Sequence, residues 1–158
     1  MNIFILDDNI QRCAAFHCDQ HVVKMILEST QILCTALNKK GVQTPYKPTH
    51  LNHPCVLWVE VSWSNFRWLA ELTLALNSEY RFRFEKMVDH KSIAVLKAIR
   101  KFLYEDKGLT PFAQTMPEKY KIPGNAVLAY RNYYIGKKLR FARWSKRTVP
   151  EWAIAQLA

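Results

Sequence analysis

Apolar residues recur at intervals of three and four through most of this chain, the period of helices that bury one face. The longest such run predicts a helix over 16–38, with Val22, Val23, Met25, Ile26, Leu27, Leu33 and Leu37 on its buried flanks, ending at Lys39-Lys40-Gly41. Pro54 suits the first turn of a second long stretch, 54–83. There Trp58, Val61, Asn65, Trp68, Leu72 and Leu76 keep helical spacing, and Ser62 or Ser64 marks a cap or a bend. A further helix is predicted over 91–104, with Ile93, Leu96, Ala98, Ile99 and Leu103 facing inward, and a last one over 125–138. Residues 2–6 read as a short extended segment, followed by a short helix with Asp8 or Asn9 as its N-cap. The proline-bearing stretches 41–53 and 107–124 read as loops, and Pro150-Glu151-Trp152 as a short turn. The expectation is a mainly α fold, a single compact helical bundle spanning 1–158.

Within the first long run a polar line crosses the apolar surround. His17, His21, Lys24, Glu28 and Gln31 step by four, three, four and three residues, so one helix carries them as a stripe. Two readings are open: a solvated face of an amphipathic helix, or a proton-transfer site made of two imidazoles, an amine and a carboxylate.

Composition narrows the choice. The 158 residues carry 23 Lys+Arg against 13 Asp+Glu, a formal charge of +10. The excess is concentrated: 119–150 holds no acid but contains Lys119, Lys121, Arg131, Lys137, Lys138, Arg140, Arg143, Lys146 and Arg147. Between 129 and 147 these cations alternate with aromatic rings, Tyr130, Tyr133, Tyr134, Phe141 and Trp144 among them. Cations neutralise phosphates and rings stack on bases, so a nucleic-acid partner is expected here. The tyrosines could equally complete the core.

Cys13, Cys18, Cys34 and Cys55 form no CxxC pair and sit among apolar residues, as reduced core thiols do. The opening Met1-Asn2-Ile3-Phe4-Ile5-Leu6-Asp7-Asp8 lacks a basic leader, and no apolar run is long enough to span a bilayer. A cytoplasmic protein with no membrane partner is expected. The absence of a Gly-rich phosphate loop, a GxSxG turn and a nucleotide fingerprint argues against nucleotide-dependent enzymes and serine hydrolases.

Asp19-Gln20-His21 with Glu28 seven residues after His21 resembles the active-site helix of the phage pyrimidine-dimer DNA glycosylases, the DenV-type endonuclease V family. Other pieces are similar in the same order along nearly the whole chain. They are Met1-Asn2-Ile3, His53 before an aromatic-rich helix, Met116-Pro117-Glu118-Lys119-Tyr120, and Asn132-Tyr133-Tyr134-Ile135-Gly136-Lys137. The resemblance implies a compact helical DNA glycosylase with AP-lyase activity, monomeric and without metal or other cofactor, acting on a damaged or modified pyrimidine. It implies an N-terminal amine as nucleophile. An α-amine titrates at about 7.7–8.0, so part of it is unprotonated near neutral pH. Met1 would supply that amine, Glu28 the acid/base, and His21 would position substrate phosphate or the glutamate. Asn2, His17, Lys24, Gln31, His53, Lys121, Arg131, Tyr133, Tyr134, Lys137, Lys138, Arg140 and Arg143 would contact substrate or DNA.

The chain departs from the family in places. Asn2 stands where the family has a small residue exposed by methionine removal, so the amine would remain on Met1. Arginines that the family carries near its glutamate are missing, and Leu27 and Gln31 stand beside Glu28. Lys24, one turn before Glu28, is an alternative amine. Trp58, Trp63 and Trp68 could wedge apart a duplex or pack in the core. Two other functions stay open: a non-catalytic nucleic-acid-binding protein on the same scaffold, and a metal-dependent hydrolase using His17, His21, His50 and His53.

Overall fold

The computed structural model describes residues 1–156. It is mainly helical, and the described residues contain no strand. Two helices of 21 residues, α2 (Asp19–Lys39) and α4 (Trp63–Arg83), pack on each other at the centre. Around them lie α1 (Ile10–Phe16), α3 (Pro54–Val61), α5 (Ser92–Ile99), α6 (Ala126–Tyr133) and the short α7 (Glu151–Ile154). No helix is long and apolar enough to cross a membrane among the described residues.

Local sequence accounts for most boundaries. Asn9 caps α1 by accepting from the Arg12 N–H, and Pro54 opens α3, which His53 caps. Asn125 caps α6 through the Leu128 N–H. The run from 54 to 83 divides at Ser62, whose backbone is extended (φ −154°, ψ 137°). Its hydroxyl accepts from the Lys107 N–H and lies within bonding distance of Asp106 and the Gly108 carbonyl, which staples the break to loop 105–108.

Two predicted helices are shorter than their periodicity suggests. The 16–38 helix begins only at Asp19, because His17 and Cys18 are extended (ψ 135° and 161°) and separate α1 from α2. His17 therefore leaves the polar stripe. The 91–104 helix stops at Ile99, since the chain turns so that Phe102 packs on the core and the Tyr104 hydroxyl donates to the Val59 carbonyl. Ile93, Leu96 and Ile99 face inward as expected, whereas Ala98 is exposed and Leu103 is 73% exposed.

Residues 2–6 form no helix or strand and lie inside the fold. Ile3, Phe4, Ile5 and Leu6 are all buried, and Asn2 with them. The segment is threaded through the core, where Cys13 Sγ and Arg131 Nε bond to its backbone. Trp58 and Trp68 are core residues, edge to face at 6.3 Å, and the four cysteines are buried thiols.

Candidate active site

Threading the first residues through the core delivers the α-amino nitrogen of Met1 to α2. It lies 3.5 Å from Glu28 Oε1. Asn2 makes this placement rigid: its amide donates to the Thr115 carbonyl, and its oxygen accepts from the Ile3 N–H and from the Tyr130 hydroxyl. The Asn2 side chain is a buried anchor, although the residue borders the cavity described next. Its expected role as a substrate contact gives way to a structural one, because every polar atom of its side chain is engaged inside the fold.

A cavity of about 130 Å³ opens at this point, lined by Met1, Asn2, Phe4, His21, Lys24, Met25, Glu28, Tyr133 and Lys138. Lys24 Nζ stands 3.9 Å from Glu28 Oε1 and its side chain is 62% exposed. The other carboxylate oxygen, Glu28 Oε2, is buried and takes no hydrogen bond from the described residues. A buried carboxylate oxygen with no donor is an uncommon and costly arrangement, of the kind that a catalytic role, a water or an ion accounts for. His53 borders the same spot. Burial lowers its pKa, and the charge of the terminal amine adds to that, while the Met1 backbone and Glu28 oppose both.

His21 is 5% exposed, with Phe4 stacked on its ring at 4.4 Å and the Tyr134 hydroxyl 2.6 Å from Nδ1. Burial pushes its pKa down to about 3, helped by the charges of His17, Lys138 and Lys24. It is a neutral imidazole at any ordinary pH.

The far wall depends on an irregularity. After α6 the chain continues as a single π-helical turn, Tyr134–Lys138. Residues five apart diverge by roughly 140° around an α-helix, whereas the wider π turn brings them to one side. Tyr133 and Lys138 accordingly face the cavity together, with Lys138 Nζ 4.9 Å from the Tyr133 ring centre. Gly136 allows this turn to sit under Tyr120, because any Cβ there would collide with the Tyr120 ring.

Several expected contacts lie elsewhere. His17 is fully buried; its Nδ1 donates to the Cys13 carbonyl, so it cannot touch DNA. Tyr134 is fully buried as well and acts only from behind His21. Arg131 is half-buried and engaged within the fold, donating to the Leu6 carbonyl and Asp7 and lying over the Phe16 and Trp152 rings. Lys121 pairs with Glu118 on the surface. Gln31 is half-buried, one turn beyond Glu28. Lys137, Arg140 and Arg143 are exposed and make no ion pair among the described residues. The four histidines of the metal reading do not converge, and no group of three or more His, Cys, Asp or Glu among the described residues is placed to hold an ion.

Sequence reasoning missed Phe4 and Met25, which carry no polar signal. It also missed what Asp19 does. The Asp19 carboxylate accepts from buried Arg83 at 3.1 Å and from the backbone and hydroxyl of Ser145, while its own N–H donates to the Arg143 carbonyl. Arg83 and Arg147 then share Glu79. This cluster ties the basic segment to the start of the helix that bears His21 and Glu28. No family model, no curated protein and no solved structure matches the chain.

Proposed function

We propose that this protein is a DNA glycosylase with associated AP-lyase activity, of the pyrimidine-dimer glycosylase type, acting on a damaged or modified pyrimidine. The observation that carries the reading is the Met1 nitrogen, 3.5 Å from a glutamate whose second oxygen has no partner, inside a cavity flanked by lysines. An amine beside a carboxylate is the pair that imine chemistry at a sugar carbon needs.

The unprotonated amine attacks C1′ of the nucleotide; the C1′–base bond breaks and the base departs with a proton. Opening of the sugar ring, with its oxygen taking a proton, leaves an iminium between Met1 and C1′. Glu28 removes a C2′ proton, and the electron pair expels the 3′ phosphate. Water then hydrolyses the imine and frees the amine. Glu28 also stabilises positive charge developing at the sugar in the first step. Lys24 is the rival amine at 3.9 Å, but it is mostly exposed on a flexible stem, whereas Met1 is fixed by the buried segment behind it.

The cavity is somewhat smaller than an apolar one of about 150 Å³ that takes a single benzene. The exposed, unpaired Lys137, Arg140 and Arg143 supply the surface along which a duplex backbone runs. The test is a panel of duplexes, each with one damaged or modified pyrimidine, incubated with the protein and with Glu28→Gln. Cleavage of at least one member by the parent, with binding but no cleavage by the variant, supports the reading. Equal cleavage by both overturns the role of Glu28.

A further inference from the structure

The two buried histidines have opposite hydrogen-bond surroundings. His17 Nδ1 faces the Cys13 carbonyl at 2.7 Å; a carbonyl only accepts, so this nitrogen carries the proton. His21 Nδ1 faces instead a hydroxyl, that of Tyr134 at 2.6 Å. The Tyr134 oxygen already accepts from the Cys18 N–H at 3.3 Å, and its own proton has two possible acceptors. One is Cys18 Sγ at 3.7 Å, a weak and distant acceptor; the other is the imidazole nitrogen, much nearer and far more basic. The hydroxyl proton goes to His21 Nδ1.

A neutral ring that accepts at Nδ1 carries its proton at Nε2. His21 Nε2 has no hydrogen bond among the described residues, and the ring lines the cavity. The charged and titratable groups around it are Lys24 on its own helix, Lys138 on the π turn, the Met1 amine, Tyr133, and His17 and Tyr134 behind. Glu28 lies two helical turns further along α2, about 10 Å by the rise of the helix. Resting on the reading above, we propose that Tyr134 is a positioning residue that fixes His21 as an Nε2–H donor. That donor, with the ammonium groups of Lys24 and Lys138, holds an oxygen of the phosphodiester next to the reacting sugar.

Three donors then surround one anion, and proton transfer is left to Glu28. Burial holds His21 neutral and keeps the Tyr134 hydroxyl protonated, so the arrangement does not change with ordinary pH.

The test is nitrogen NMR of the imidazoles in the whole protein, with inorganic phosphate as the probe. His21 is expected as the Nε2–H tautomer and His17, in the same spectrum, as the Nδ1–H tautomer. Tyr134→Phe should move the His21 Nδ1 resonance toward that of an unbonded nitrogen while leaving His17 in place. Should that variant fail to fold, the tautomer in the parent protein decides alone: a His21 proton on Nδ1 overturns the proposal. Added phosphate should shift the His21 Nε2 resonance, with an affinity about tenfold lower in the double variant Lys24→Met, Lys138→Met, as loss of charged hydrogen bonds implies. A resonance that phosphate leaves unmoved overturns the ligand assignment. Neither readout needs cleavage, so a protein that passes both and cuts no duplex refutes the glycosylase reading and not this one.

Discussion

The Tyr130 hydroxyl donates to Asn2 Oδ1 across 2.9 Å of buried core, joining α6 to the second residue of the chain. That bond and the Asn2 amide bond to Thr115 set the position of the Met1 nitrogen over Glu28. Asn2→Ala leaves the Ile3 N–H without its acceptor in a buried setting, where an unmade bond costs about 1–3 kcal/mol. An unfolding free energy in urea lowered by that amount is expected, together with a larger loss in any reaction of the amine than in DNA binding.

Acid should destabilise the protein before its carboxylates titrate. Burial holds His17 near 4 and His21 near 3, whereas histidines of the unfolded chain take up protons around 6.5. A base with a lowered pKa in the fold contributes stability that is complete above 6.5 and drains as pH falls toward its folded value. The slope is roughly 1.4 kcal/mol per pH unit for each histidine. Urea unfolding at pH 7 and pH 5 checks this: a lower midpoint at pH 5 is expected, and an equal one contradicts neutral burial of both rings.

Asp19 is half-buried and holds Ser145 and Arg83 together, so Asp19→Asn should loosen the basic segment without dissolving the core. Arg83 keeps Glu79 and the His17 and Ala15 carbonyls, which limits the loss to about 1–3 kcal/mol. Faster tryptic cleavage at Arg143, Lys146 and Arg147 is the expected sign.

Replacing Lys137, Arg140 and Arg143 by glutamine removes exposed cations that have no ion pair to lose among the described residues. Stability should change little, while DNA affinity falls and its salt dependence flattens by roughly 0.9 log units for each phosphate contact removed. An unchanged slope would place the DNA on another face.

The helices were legible because period and punctuation agreed. Pro54 at the head of α3 and Lys39-Lys40-Gly41 after α2 are local signals, and the structure obeys them. The stripe His21, Lys24, Glu28 was legible for the same reason, since all three stand on one continuous helix. His17 was misplaced because nothing local forbids a helix through His17-Cys18; the break is held by distant partners, Arg83 on the His17 carbonyl and Tyr134 on the Cys18 N–H. The π turn that aligns Tyr133 with Lys138 depends on Tyr120 closing over Gly136, a contact no periodicity encodes. Tyr134 and Arg131 looked like DNA contacts by composition, but Tyr134 is buried and the half-buried Arg131 is engaged by the Leu6 carbonyl and Asp7.

The Met1 amine is the proposed nucleophile at a sugar carbon. Protein with Met1 as its first residue, mixed with an abasic-site duplex and reduced with borohydride, should give a covalent adduct whose peptide map places the DNA on Met1. The adduct should vanish when a residue is added ahead of Met1. An adduct on Lys24 would move the chemistry to the rival amine. No adduct, in a preparation that binds the duplex, would contradict the account.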